Sequence, residues 1–410
     1  MDNEFPYDDE LYGKNLPTLA EFERVIRANL QGWLNYLKGD PPLADLKDNA
    51  KAIMEDLGHS TFIIETTPLA TELAAAVGEK FSRLKLWQSW HYQLLMLLNP
   101  VAESPSGAVQ EAFHESMMRF YLYKGDLNRA NMMINFLSTI AQPKPEIQLA
   151  EARVAIALAY YKDGLQMAQQ MVKLAREARS GALLGRAYSV LTHLSINLSD
   201  WGNAFQYGQM VYSTGIGLGD HTLISDGLHF IALAYKLSPQ PRLAYQYLDL
   251  AAQYSLWTED LSHIDYLWDT WAACHFVLGE YDEAQYFYRI SLRVFEGAGS
   301  YYARALHGLG TSLVLLGCYD EAEPILDKAY YKWCELKRPI EHLYTSHALA
   351  ELYSCTKRHE EATALMESTI SEAKALGERC PQGFLDLLRT DLKVYIARRD
   401  DPNANDNAVC

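Results

Sequence analysis

Cysteine is missing from the first 273 residues of this 410-residue chain. The six that follow are Cys274, Cys318, Cys334, Cys355, Cys380 and Cys410, and they form no CxxC pair and no metal-ligand spacing. A disulfide framework or zinc ribbon is therefore not what organises the fold, and the expectation is small buried thiols. No apolar run approaches the ~20 residues of a membrane span. Met1 is followed by Asp2, Glu4, Asp8, Asp9 and Glu10, the opposite of a basic signal-peptide start. Basic residues are in deficit, 36 Lys and Arg against 52 Asp and Glu, for a net charge of −16. Affinity for a phosphate backbone comes from clustered Lys and Arg, so nucleic acid and anionic membrane are poor partners. Catalytic signatures are missing too: there is no HExxH and no G-x-S-x-G. The run Gly215-Ile216-Gly217-Leu218-Gly219-Asp220 imitates a phosphate loop, but no strand precedes it and no Lys follows at P-loop spacing, so it reads as a turn. These absences predict a soluble cytoplasmic protein that is not an enzyme, with no cofactor and no metal.

What is present is hydrophobic residues at 49% and an abundance of Tyr, 27 in all. The length exceeds the roughly 250–300 residues that one core supports, so the chain either splits into domains or stacks repeats. The stretch from Ala303 to Trp333 chooses between them. Leu306, Leu309 and Leu313 lie on one face of a helix. Gly310 beside them lets a neighbouring helix approach, and Gly317 ends the helix. Tyr319 packs over the turn, Asp320 is the expected N-cap of a second helix, and Ala322, Leu326 and Ala329 form that helix's inner face.

Equivalents of Gly317 are read at Gly125, Asp163, Ser199, Pro239, Gly279 and Lys357, spaced 38, 36, 40, 40, 38 and 40 residues apart by subtraction along the chain. Five positions after each stands an alanine: Ala130, Ala168, Ala204, Ala244, Ala284, Ala322 and Ala362. One methyl fits where the helices cross, and a larger side chain overpacks by about 1–3 kcal/mol. This pattern resembles the tetratricopeptide repeat family in a long-repeat form.

The resemblance implies an all-α, right-handed α-solenoid of about seven helix-turn-helix repeats, with an N-terminal helical block and a C-terminal capping helix. The expected divisions are an acidic flexible arm over 1–16, the helical block over 17–107, the solenoid over 108–380, the cap over 381–399 and a disordered tail over 400–410. In the block, helices are expected over Leu19–Leu37, with Phe22, Val25, Ile26, Leu30 and Leu34 on one face, over Leu43–Leu57, Leu69–Val77 and Glu79–Leu98, with an extended connection through Ile63 and Ile64. In the cap, Phe384, Leu387, Leu388, Leu392 and Tyr395 are spaced for one buried face.

In this family, ligand contacts come from the first helices, which line the concave side. Counting Ala303 as position one, position two holds Arg186, Tyr266, Arg304 and Tyr344, with Asp226 among them. Position five holds Arg153, His229, Asp269, His307 and His347, position nine Arg119 and His193, and position twelve Tyr160, Lys236 and Phe276. Buried without partners, Arg119, Arg153, Arg186 and Arg304 would each cost several kcal/mol. They face water, a partner, or carboxylates such as Asp226 and Asp269. The resemblance thus implies a non-catalytic scaffold or adaptor whose groove binds a protein or peptide segment of acidic, carboxylate-bearing character. The alternative is a regulatory sensor whose superhelix changes on binding and controls another protein. Self-association is compatible with either, and a plain solvated wall is the bland reading of the same residues.

Overall fold

A computed structural model describes residues 19–60, 66–83, 107–140, 144–236, 238, 240–257, 261–295, 299–381 and 383–400. The arm over 1–16, the tail over 401–410, the stretch through Ile63 and Ile64, and the helix expected beyond residue 83 lie outside them. Among the described residues the chain has eighteen α-helices and no strand. It falls into two compact units, residues 1–117 and 118–410.

The first unit packs α1 (Leu19–Lys38), α2 (Leu43–Ser60) and α3 (Thr67–Arg83) against one another. Helix α1 buries Ile26, Leu30 and Leu34, a strict four-residue repeat, while Val25 is 51% exposed, against the expected face. Helix α3 runs straight through Gly78, where a break was expected. A mid-helix glycine costs only about 1 kcal/mol. Burial of Leu73, Val77 and Phe81 along one stripe of α3 outweighs that cost.

From residue 107 the helices come in pairs. They are α4 (Gly107–Lys124) and α5 (Leu127–Ile140), α6 (Pro145–Ala157) and α7 (Tyr161–Glu177), α8 (Gly181–Asn197) and α9 (Trp201–Leu218), α10 (His221–Lys236) and α11 (Leu243–Trp257). Then follow α12 (Leu261–Val277) and α13 (Tyr281–Phe295), α14 (Gly299–Leu315) and α15 (Tyr319–Glu335), α16 (Pro339–Cys355) and α17 (His359–Leu376), and last α18 (Phe384–Asp400). From α6 onward each helix packs on the next, and each first helix also touches the next first helix. The first helices therefore form a continuous inner row, the arrangement of a solenoid.

The turns inside six of the seven pairs share one construction. A residue with positive φ stands at Gly125, Ala159, Ser199, Gly279, Gly317 and Lys357. The next N–H bonds back to the carbonyl five residues earlier, as from Cys318 to Leu313 at 2.9 Å and from Tyr160 to Ala155 at 2.8 Å. This is the Schellman closure of a helix end.

The turn of the α6–α7 pair is thus at Ala159, four residues before the expected Asp163. A search anchored on glycine misses it because an alanine takes the left-handed conformation here. Two spacings change, to 34 (159 − 125) and 40 (199 − 159). The residue five beyond Ala159 is Gly164, not Ala168. A Cβ there would meet Ile156 Cγ1 at 2.7 Å, so this crossing is tighter than its six alanine counterparts.

Other local expectations meet the same scrutiny. A Cβ on Gly310 would lie 2.5 Å from Leu326 Cγ, so the glycine does admit the partner helix. Asp320 is inside α15, whose N-cap is Cys318 without a side-chain bond. The Gly215–Asp220 run continues α9 to Leu218 and turns only at Gly219, φ 65°. Of the free thiols Cys274, Cys318, Cys334 and Cys380, only Cys274 is buried. In α18, Phe384, Leu388 and Tyr395 are buried, but Leu387 is 47% exposed.

Candidate functional site

The first helices turn a row of polar side chains to the inner side of the second unit, and much of that row is bonded to itself. Tyr266 Oη donates to Asp226 Oδ1 at 2.7 Å, joining α12 to α10. His229 Nε2 lies 2.8 Å from Thr270 Oγ1. The Thr270 hydroxyl already donates to the Tyr266 carbonyl at 3.0 Å, so the histidine supplies the shared proton. Asp269 Oδ2 accepts from Arg304 Nε at 2.7 Å, joining α12 to α14. His307 Nδ1 meets Thr345 Oγ1 at 3.1 Å, again as donor, because Thr345 donates to the Glu341 carbonyl. His347 Nε2 reaches Asp391 Oδ2 of α18 at 2.8 Å. These bonds are rungs that tie each first helix from α10 onward to the next.

Ring contacts reinforce the rungs. His229 lies over Tyr266 at 4.7 Å between centroids, and Tyr266 stacks on Tyr301 at 5.8 Å. The Arg304 guanidinium sits 4.7 Å above Tyr301. His193 meets Phe230 edge-on at 5.0 Å, and Tyr344 packs on Phe384 at 4.5 Å.

Charges from distant repeats act on several of these side chains. His193 of α8 is pushed down to about 4, first by burial and then by Arg153 of α6, with Arg304 of α14 and Arg338 before α16 acting in the same sense and Asp226 against it. Walls far apart in sequence therefore converge on one imidazole. His307 is also held to about 4, by burial and then by His347. Burial works against the Arg304 charge, but Asp269 and Tyr301 beside it keep its pKa above the ordinary value. The Arg304 side chain stays half exposed to water, so the space is open inside as well as surrounded.

The ends of this inner row also meet. Arg379 lies 5.1 Å from the Tyr160 ring, and Lys162 pairs with Glu378. Tyr161 at the start of α7 is pushed up to about 12, by burial and then by Glu341 and Tyr344 of α16. A Cβ on Gly125 would meet Leu336 Cδ2 and the Ser300 amide at 3.3 Å. Elements near the start and near the end of this run of helices therefore touch.

The structure thus brings His193, His229, Tyr266, Asp269, Arg304, His307, Tyr344 and His347 into one connected wall. Arg119 and Arg186 are exposed on α4 and α8. Arg153 is exposed on α6, and counting from Ala159 moves it from position five to position nine, the row of Arg119 and His193. Sequence reasoning missed Thr270, Thr345 and Asp391 as rung partners. It also missed Tyr288, which packs against Gly308 of α14 from a second helix. Nothing in a repeat register marks such residues, because their partners are set by how successive repeats dock. No group of three or more His, Cys, Asp or Glu among the described residues is placed to hold a metal ion.

With this geometry in place, comparison adds the following. A tetratricopeptide repeat model matches residues 264–331, the α12–α13 pair and most of α14–α15. No match is found among curated proteins. Among solved structures, a Rap protein complexed with competence and sporulation factor is 12% identical with a TM-score of 0.50, over 81% of this chain and 99% of that one. NprR in complex with its cognate peptide NprX is 17% identical with a TM-score of 0.48, over 71% and 84%. A signal transduction ATPase with a tetratricopeptide repeat sensor from Pyrococcus horikoshii is 12% identical with a TM-score of 0.49, over 80% of this chain and 53% of that one. At these identities the likeness is one of fold alone.

Proposed function

The chain carries tetratricopeptide repeats, and from that premise we propose that it is a non-catalytic scaffold that takes a protein or peptide segment into its inner channel. One observation carries the reading. Among the channel groups, Asp226, His229, Asp269, Arg304, His307 and His347 are each bonded to a side chain of a neighbouring helix, whereas Arg153 makes no ion pair with the described residues and is exposed. An arginine left over beside a closed polar wall suits a guest carboxylate, which it grips with two parallel N–H groups. The Rap structure, of similar fold, is complexed with competence and sporulation factor, and this lends support to a fold that holds a bound partner.

The test is selection of a random heptapeptide library on the intact chain and on Arg153→Glu. Acidic peptides retained by the wild type should bind the variant about tenfold or more weakly, with circular dichroism unchanged. Equal retention by both would move the binding surface elsewhere.

A second reading, a regulatory sensor, is favoured by the contact between the channel ends. A guest that enters must coexist with the Lys162–Glu378 and Tyr160–Arg379 contacts or part them. That gives binding a mechanical consequence. The net charge of −16 supports protein over nucleic-acid or membrane partners and fits a cytoplasmic setting. Self-association through either unit is compatible with both readings.

A further inference from the structure

Away from the inner row, side chains of α7, α8 and α9 line a cavity of about 180 Å³. Helix α8 packs on both of the others, and its Tyr188 and Leu191, 7% and 3% exposed, form the floor. On α8 these two residues lie about half a turn round from Arg186 and His193, the side chains that α8 gives to the inner row, so the cavity is separate from the channel. Val172 of α7 and Tyr207 and Met210 of α9 make the sides. The Tyr188 and Tyr207 rings stack, with 6.2 Å between centroids and 21° between planes. The walls are thus apolar and aromatic, and no carboxylate is among them.

Two polar side chains complete the lining, Gln169 and Arg176 of α7. Arg176 Nη2 donates to Tyr188 Oη at 3.1 Å. That bond occupies a lone pair of the phenol oxygen, and the phenol's own proton has no acceptor among the described residues. Arg176 makes no ion pair with the described residues, and the adjacent Glu177 pairs instead with Lys173 at 4.0 Å. A guanidinium with N–H groups to spare and a hydroxyl with its proton to spare are therefore held 3.1 Å apart at one cavity. One carboxylate spans such a pair with its two oxygens.

We propose that this cavity is a binding site, separate from the channel, for a single aromatic ring bearing a carboxylate. The carboxylate accepts from Arg176 and from the Tyr188 hydroxyl. The ring rests on Leu191 between Val172 and Met210 and extends the tyrosine stack. Drug-sized ligands take pockets of about 300–1,000 Å³, so a cavity of 180 Å³ admits one ring with its acid and excludes a nucleotide. A guest ammonium meets the guanidinium with no anion to answer it. Inorganic phosphate engages the donors and leaves the apolar walls wet.

The test is saturation-transfer NMR on the whole chain with phenylacetate as the probe and phenethylamine as its cationic counterpart. Phenylacetate should bind at millimolar concentration or tighter, and phenethylamine should not. Arg176→Met should weaken phenylacetate about tenfold, and Tyr188→Phe should weaken it less, because the guanidinium remains, both with circular dichroism unchanged. If either variant loses helix content, the other carries the test. Arg153→Glu, in the channel, should leave phenylacetate binding unchanged. N-acetylglycylphenylalanine carries the same ring and carboxylate at a chain end. Tighter binding of it than of phenylacetate names a polypeptide C-terminus as the source and weaker binding a free acid, and both uphold the site. No binding of phenylacetate, a preference for phenethylamine, or equal affinity in the wild type and in the folded variants overturns it. Loss of binding in Arg153→Glu moves the acid to the channel and overturns it as well.

Discussion

His193 and His307 show how a single residue in this wall couples to the solution. Both are neutral in the folded chain, titrating at about 4, against an ordinary value near 6.5. Between those values the unfolded chain binds the protons and the folded chain refuses them, so folding stability falls as pH falls. The slope is at most about 1.4 kcal/mol per pH unit for each histidine, and partial access to water lowers it. Urea midpoints of the wild type should therefore drop between pH 6.5 and 4. The same series on His193→Gln with His307→Gln should be flatter. An unchanged slope would mean that the imidazoles are already protonated in the folded state. Residue-scale detail of this kind was only half legible beforehand. His229, His307 and His347 recur at one position of the register, which the sequence displays. That the first two donate to threonines and the third meets an aspartate follows from how neighbouring helices dock.

Helix against helix, the decisive variable is the distance of approach. At Gly227 of α10 a Cβ would lie 2.4 Å from the backbone nitrogen of Tyr212 in α9, and backbone cannot swing aside. Gly227→Ala should destabilise by about 1–3 kcal/mol through overpacking. Gly217, within α9, has nothing within 4 Å of the added methyl, and Gly217→Ala should stabilise by about 0.5–1 kcal/mol as glycine leaves a helix interior. Opposite shifts in melting temperature are the expected readout, and two shifts of one sign would contradict the packing. The six alanines at Ala130, Ala204, Ala244, Ala284, Ala322 and Ala362 are all fully buried, and each marks a similar crossing. Their recurrence made the elements readable from sequence. The pair that escaped the register, α6–α7, did so because Ala159 and Gly164 exchange the usual residue types while keeping the same geometry.

At the scale of the whole second unit, the meeting of its early and late helices rests on unequal contacts. The Lys162–Glu378 pair is exposed on both sides, and such pairs contribute little to stability. Leu336 contributes an apolar approach, its Cδ2 standing 3.3 Å from where a Cβ on Gly125 would lie. Leu336→Ala should accordingly raise the radius of gyration in small-angle scattering, with helix content unchanged, while Lys162→Ala should leave it alone. The reverse order would place that meeting in charge and not in packing.

The amino-acid sequence by itself determined the repeated hairpin, because alanine and glycine at crossings and apolar residues at helical spacing are local requirements that each repeat must meet alone. It also placed Arg304 and Asp269 on one inner row and offered such carboxylates, beside water or a partner, as what the arginines face. Only the tertiary structure decided that this row bonds largely to itself, that Arg153 belongs one turn further along, and that Tyr288 packs against Gly308. Those outcomes depend on the angle at which each repeat stacks on the next. Stacking angles sum small side-chain contacts over many helices, and no single window of the chain contains that sum.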